Sequence, residues 1–233
     1  MAKYFTKNVY TLLTGALTAV ILAASVGCYN LIPRKDSTRY FVLTAEDAVG
    51  VNTQTTEGVT LGIMPIDVAA HLDTPRMVLR WGDNEVFYSD YHRWGEGLST
   101  GIASVLGQNL AASEGVKAVY VAPWSDVSSE RDYDVYIEVL RFEGMKVKLV
   151  EEGKPPYNSQ AVLEVVWEVR SRADSSLVKR DVFYKVKTLE GENTYSDLAA
   201  ALSDSLSLLS AKILETVVPP EEQVQETVTD SEF

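Results

Sequence analysis

Alternating apolar and polar positions predict three long β-strands in the second half of the chain. They are Tyr133 to Phe142, Gln160 to Arg170 and Leu177 to Thr188. The apolar faces read Val135, Ile137, Val139; Ala161, Leu163, Val165, Trp167, Val169; and Val178, Val182, Tyr184, Val186. Asp174-Ser175-Ser176 predicts a tight turn between the last two strands. We expect an antiparallel meander with its apolar face buried and its charged face in water.

The stretch from Val59 to Leu110 predicts a strand, a hairpin and a buried helix. Val59 to Val68 has strand character. Gly82-Asp83-Asn84 separates the β-rich runs Met77 to Trp81 and Glu85 to Tyr88, as in a hairpin. In the following helix, Leu98, Ile102, Val105, Leu106 and Leu110 share one face. No charge lies between Leu98 and Ser113, so this helix is expected deep in the fold or against another copy.

The remaining patterns complete an α+β fold. Arg39 to Thr44 and Val116 to Ala122 have the composition of short strands. A final helix opens at Thr194 and ends before Pro219-Pro220, with an apolar stripe of Leu198, Leu202, Leu206, Leu209 and Ile213. We predict a single domain with a mostly antiparallel sheet and two main helices packed on one of its faces.

Charge limits the partners. The 233 residues carry a net charge of −12, and an acidic surface repels phosphate backbones, so we expect no nucleic-acid partner.

From Glu221 the chain has five acids and no base, which is typical of disorder. The predicted organisation is a signal peptide over 1–27, a tether over 28–38, the domain over 39–218 and an acidic disordered tail over 219–233.

The N-terminus predicts a lipid anchor. Lys3 and Lys7 precede an apolar stretch from Leu12 to Val26, which has the length of a signal-peptide core. Ser25-Val26-Gly27-Cys28 resembles a bacterial lipobox, and Cys28 is the only cysteine of the chain. A plain secretory signal cut after Ala24 or Ser25 is the alternative. Diacylglycerol and an N-acyl chain on Cys28 would bind a membrane stably.

Candidate chemistry is sparse. His71 and His92 are the only histidines, neither has a second ligand at metal-binding spacing, and no metal site is predicted. Asp83, Asp90 and Glu96 flank the hairpin, but a wet acidic turn explains them, and no catalytic residue is assigned. Among the tryptophans, Trp167 is expected in the core. Trp94 is expected to staple the helix start, and Trp81 and Trp94 are the candidate partner-interface residues.

Several segments, taken in order, carry a family resemblance. They are the lipobox cysteine, Arg39-Tyr40-Phe41-Val42-Leu43, Gly62 to Ile66, Leu72 to Val78, Trp81 to Val86, Arg93-Trp94-Gly95-Glu96 and Leu140-Arg141-Phe142-Glu143-Gly144. This order resembles the PqiC-type family of ABC-type transport auxiliary lipoproteins. The resemblance covers about Arg39 to Val217. His71 stands where the family usually has Tyr, and Thr74 where it usually has Arg.

The resemblance implies a non-enzymatic lipoprotein on the periplasmic face of the outer membrane, with the inner membrane as the less favoured location. Its implied partners are an MCE-domain (mammalian cell entry) periplasmic protein with its permease and ATPase, in a system that moves lipids between membranes and supports envelope integrity. No cofactor is implied beyond the covalent lipid on Cys28, and self-association is possible. The alternative is a periplasmic lipoprotein that itself binds and carries a lipid or small amphiphile.

Overall fold

The computed structural model describes residues 16, 18, 35–46, 57–124, 130–148, 157–189 and 195–218. The chain from Thr38 onwards forms one compact unit, separate from Met1–Ser37. Its described strands are β1 (Arg39–Phe41), β2 (Val59–Ile63), β3 (Asp67–Val68), β4 (Arg76–Trp81), β5 (Glu85–Trp94), β6 (Val116–Val121), β7 (Tyr133–Lys148), β8 (Tyr157–Ser171) and β9 (Leu177–Thr188). Its described helices are α1 (Leu98–Ala111) and α2 (Tyr195–Val217).

Strand β7 organises a branched sheet. β8 pairs along one edge of β7, and β9 pairs with β8, both antiparallel. The other edge of β7 pairs in succession with β2, β3 and β4, all parallel. β6 extends the sheet beyond β2, whereas β5 and β1 extend it beyond β4. The predicted α+β class is confirmed, and the sheet is mixed because parallel branches join an antiparallel meander.

The core lies between the sheet and the two helices. Every apolar position of the predicted β8 face is buried, and Trp167 is 1% exposed. On α2 the predicted stripe is buried throughout, and on α1 Ile102, Leu106 and Leu110 are fully buried. Removing this much apolar surface from water is the main stabilising contribution of such a core, at roughly 25 cal/mol per Å².

The predicted strand from Val59 to Val68 is interrupted. It splits into β2 and β3 around Pro65, which has no N–H to donate to a neighbouring strand. Met64 N–H and Ala69 N–H still donate to carbonyls of β7, at 2.9 Å each. The chain therefore steps along β7 instead of pairing continuously. The first strand is also shorter than predicted, ending at Phe41, whereas the hairpin strand β5 extends to Trp94.

The faces of β9 are the reverse of those predicted. Val178, Val182 and Tyr184 are 43%, 56% and 55% exposed. The opposite face, with Lys179 and Lys187, lies towards α2 and the core. Lys187 pairs with Asp204 of α2, and the Lys179 Nζ lies 5.7 Å from the centre of the Trp167 ring. The inward face also carries Phe183, which packs against the core, whereas the Lys187–Asp204 pair is exposed and contributes little.

Candidate functional site

Strands β1, β5 and β4 end in a surface of exposed apolar side chains. Tyr40, Val42 and Tyr91 are 64%, 58% and 58% exposed. In register, Tyr40 of β1 lies beside Arg93 of β5, and Arg93 lies opposite Arg76 of β4. Register partners share a face of the sheet, so an aromatic ring and two guanidinium groups form one row across three strands. We call Tyr40, Val42, Arg76, Tyr91 and Arg93 the docking surface.

A bulge in β5 determines which side chains form this surface. Val78 pairs with Tyr88 and Arg76 pairs with Arg93. Between those pairs β4 has only Met77, whereas β5 has the four residues from Ser89 to His92. The insertion of an odd number of extra residues reverses the alternation of side chains along β5. The Ser89 hydroxyl stabilises the bulge, since its oxygen accepts a hydrogen bond from the His92 backbone N–H at 3.2 Å.

The other face of the same strands is packed against the helices. The His92 ring stacks on Tyr195, the first residue of α2, with ring centres 3.8 Å apart. Phe41 packs against both rings, at 5.8 and 6.4 Å. Burial, and then the nearby Arg39 charge, lower the pKa of His92 below its ordinary value of 6.5. The docking surface therefore has a rigid aromatic support beneath it.

The hairpin tip carries two further exposed aromatic residues. Trp81 is 39% exposed and Phe87 is 48% exposed. The Lys146 Nζ lies 5.0 Å from the centre of the Trp81 ring, a cation–π contact. Leu79 and Phe87 are register partners on the helix side of the sheet. The tip therefore presents aromatic surface next to the docking surface but on the opposite face.

The two predicted interface tryptophans occupy different environments. Trp81 is accessible, as described above. Trp94 is 6% exposed and packs on Phe142, with ring centres 5.7 Å apart. The side chain of Trp94 thus supports the β1–β5 pair from the core side. Cys28, the predicted lipidation site, lies outside the described residues. No described helix combines the length and apolar character that a bilayer crossing requires.

A buried charge cluster lies where β4 meets β7. Glu143 is fully buried and accepts hydrogen bonds from Arg80 Nε at 2.5 Å and Arg141 Nε at 2.8 Å. His71 Nε2 lies 3.7 Å from the same carboxylate. The pKa of Arg80 is raised, because its guanidinium binds Glu143 and lies in the field of that negative charge; partial desolvation opposes this shift. Because both arginines already bind Glu143, the cluster's first role is to hold β4 on β7.

One pair in the structure has the composition of a catalytic dyad. Ser89 Oγ lies 2.9 Å from His92 Nδ1. Ser89 is only 3% exposed, however, so a substrate has no access to the hydroxyl. The sequence did not single out this pair, since the two residues meet through the bulge. Asp83, Asp90 and Glu96 are exposed, and no described group of three His, Cys, Asp or Glu side chains is arranged to hold a metal.

Similar folds occur in solved structures. Protein XCC0632 from Xanthomonas campestris superposes with a TM-score of 0.59 at 18% identity, covering 76% of this chain and 93% of that one. A second solved structure, of an uncharacterized protein, gives a TM-score of 0.56 at 16% identity and covers 76% and 95%. At these identities the likeness concerns the fold. No curated protein sequence matches the chain.

A family comparison extends over most of the domain. The sequence model of the ABC-type transport auxiliary lipoprotein component matches residues 41–214. The match begins in β1 and ends within the last turn of α2, so it includes the hairpin, the buried charge cluster and all of the docking surface except Tyr40. The chain belongs to the family of ABC-type transport auxiliary lipoprotein components.

Proposed function

We propose that this protein is a non-enzymatic accessory subunit of an MCE-type ABC transport system. In this role it supports the movement of lipids between membranes and the integrity of the envelope. The observation that carries the proposal is the family match over residues 41–214. The low exposure of Ser89, 3%, is consistent with a role other than catalysis.

The anchor is the first part of this proposal. A diacylglycerol and an N-acyl chain on Cys28 hold the protein at the periplasmic face of the outer membrane, because two or more chains are needed for stable anchoring. Residues 28–38 connect this lipid to β1, the first strand of the docking surface. Tyr29, rather than Asp, follows Cys28, which by the resemblance favours the outer membrane.

Contact with the transporter is the second part. The docking surface combines exposed aromatic and arginine side chains, the types enriched where binding energy concentrates, and Trp81 adds an exposed ring at the hairpin tip, where the two faces of the sheet meet. Their partner in this proposal is the periplasmic MCE-domain protein, which acts with its permease and ATPase. Self-association would use the other exposed surfaces of the sheet, so both contacts could form together.

Mass analysis and fractionation test the anchor. We expect the mature protein to begin at Cys28 and to carry the mass of a diacylglyceryl group and an acyl chain. Cys28→Ala is expected to release the protein from the outer-membrane fraction in which the unaltered protein is found. A bare thiol, or a mature chain starting upstream of Cys28, would contradict the anchoring proposal.

Binding to a purified MCE-domain protein from the same organism tests the contact. The double variant Tyr40→Ala/Tyr91→Ala is expected to weaken binding by about tenfold or more, since each ring is an exposed aromatic anchor. Tyr184→Ala is the matched control, because Tyr184 is 55% exposed on β9, away from this surface. Equal losses for both variants, or no binding by the unaltered protein, would argue against the proposed contact.

A carrier role is the second candidate function, and one groove favours it. The groove measures about 540 Å³ between α1 and β6, and its lining is uncharged: apolar side chains such as Ile66, Val119 and Val121 lie beside the polar Ser99, Thr100, Ser104 and Gln108. Such a lining suits an aliphatic chain. Native mass spectrometry of protein extracted from membranes distinguishes the two roles. A stoichiometric lipid on the domain, additional to the anchor, would support the carrier.

A further inference from the structure

Arg93 differs from the other partly buried arginines of the domain. Arg80 and Arg141 each bind Glu143, and Arg131 Nε donates to Asp134 at 2.9 Å. Within the described part of the chain, the side chain of Arg93 forms no hydrogen bond or ion pair, and its buried Nε has no acceptor. A buried donor without an acceptor carries an uncompensated desolvation cost. In the free domain, the Arg93 side chain therefore lowers the stability of the fold.

Arg76, the neighbour of Arg93 across the sheet, adds to this loss of stability. Arg76 lies directly opposite Arg93 in the β4–β5 register, and like charges placed opposite each other are destabilising. Asp90 is 71% exposed, and its Oδ1 lies 3.9 Å from Arg76 Nη1. This carboxylate therefore pairs with Arg76 and not with Arg93. The pair of arginines thus has local positive charge in a chain whose net charge is −12.

The surroundings of Arg93 have the composition of a binding centre. Tyr40 is its register partner on β1, and Tyr91 precedes it by two positions, within the bulge of β5. Both rings are more than half exposed. A guanidinium presents a planar fork of donors that matches a carboxylate. Flanking rings exclude water from such a pair when a partner closes over it.

We propose that Arg93 receives a carboxylate side chain from the docking partner, with Tyr40 and Tyr91 packing around the pair. This inference rests on the proposed function and adds the chemistry of the partner segment, which is acidic and bears apolar neighbours. A phosphate of an anionic lipid is the competing oxyanion. The exposed rings of Tyr40 and Tyr91 beside Arg93 suit a protein segment with apolar side chains around its acid, and the surface therefore favours a protein carboxylate.

The stability of the mature protein, purified from membranes in detergent, provides the first test. Arg93→Met is expected to leave Tm unchanged or to raise it, because the substitution removes an unsatisfied donor and keeps an apolar stem. Arg80→Met is the matched control, and we expect it to lower Tm because it leaves buried Glu143 without one of its partners. If Arg93→Met lowers Tm as much as Arg80→Met does, Arg93 is structural and the proposal is wrong.

Binding to the purified MCE-domain protein provides the second test. Arg93→Met is expected to weaken binding by tenfold or more, and Arg93→Lys by less, since lysine keeps the charge without the fork. Arg180→Met, at a 64% exposed arginine on β9, is expected to leave affinity unchanged. If the unaltered protein binds and Arg93→Met binds equally well, the inference fails while the proposed function stands.

Two other outcomes identify different failures. If the unaltered protein does not bind the MCE-domain protein, the proposed function fails and the inference fails with it. Vesicles containing phosphatidylglycerol test the competing oxyanion. If Arg93→Met loses binding to these vesicles but keeps its affinity for the MCE-domain protein, the receptor is for lipid phosphate and the proposal is overturned.

Discussion

Glu143 shows how one residue can fix the junction of two strands. Its carboxylate is fully buried on β7 and binds Arg80 of β4 and Arg141 of β7. The sequence placed Glu143 and Arg141 in a motif segment, but it gave no sign that Arg80 joins them. Contacts of this kind depend on the parallel β4–β7 register, which local patterns do not encode.

The substitution Glu143→Gln is expected to lower the free energy of unfolding by about 2 to 3 kcal/mol, since two partly buried guanidinium groups lose their counter-charge. Urea denaturation followed by circular dichroism measures this change. Glu215→Gln serves as the control, because its ion pair with Lys212 is exposed and is expected to contribute no measurable stability. Similar decreases in the free energy of unfolding for both variants would mean that the burial of Glu143 does not strengthen its contribution to stability.

His92 gives a pH dependence with a defined sign. Burial and the Arg39 charge lower its pKa in the folded protein below the ordinary 6.5. Between those two values the unfolded chain binds the proton more readily, so this contribution to stability is lost as pH falls below about 6.5. The stability difference between the unaltered protein and His92→Gln is expected to shrink from pH 7.5 to pH 5. A difference independent of pH would contradict this origin.

At the scale of elements, the periodicity of the sequence predicted the type of each helix and strand better than it predicted which face is buried. The strand bounds Leu177–Thr188 coincide with β9, and the helix stripes on α1 and α2 are buried as expected. The predicted apolar face of β9 nevertheless lies largely in solvent, because Phe183 on the other face packs against the core. Alternation identifies two faces, but packing against neighbouring elements decides which of them turns inwards.

Neighbouring substitutions on β9 test this reversal. Val182→Asp is expected to leave Tm almost unchanged, because Val182 is 56% exposed. Phe183→Asp is expected to cost about 2 kcal/mol or more, since Phe183 packs against the core and would bury a charge there. Thermal unfolding of the two variants compares them directly. The alternation of the sequence alone predicts the opposite order.

The predicted docking residues also separate at this scale. Trp81 is accessible because it ends β4 at the hairpin tip, whereas Trp94, which follows the bulge in β5, is packed on Phe142. Nothing in the residue types from Ser89 to His92 announces such a bulge. The sequence could therefore name the segment that forms the surface, but it could not identify Arg93 as its partly buried member with an unsatisfied Nε.

At the scale of the whole molecule, β7 connects the meander to both parallel branches. The sequence predicted the meander and the helices, whose contacts are local in the chain or repeat along it. It did not predict that β2, β3 and β4 follow one another along a single edge of β7. Those pairings join residues distant in sequence, and their order depends on how the loops close rather than on strand composition.

Gly144 lies at the point where β4, β7 and α2 meet. A Cβ there would lie 2.4 Å from Leu79 Cδ2 and 3.1 Å from Leu198 Cδ2. Gly144→Ala is expected to lower the free energy of unfolding by about 1 to 3 kcal/mol through overpacking, as measured by urea denaturation. Adding Leu79→Val should recover part of that loss, because it removes the nearest atom. Additive losses would show that crowding is not the cause.

The bulge between Ser89 and His92 limits which insertions and deletions the chain can tolerate. Deleting a single codon there would leave an even number of surplus residues, so the segment after it would rotate by half a turn. The indole of Trp94 would then lie in water, and the Arg93 guanidinium would lie in the core beside Phe142. Insertions at Gly82-Asp83-Asn84 lengthen only the hairpin loop and carry no such penalty. Among relatives, length variation should therefore collect at the loop and be absent from the four bulge positions.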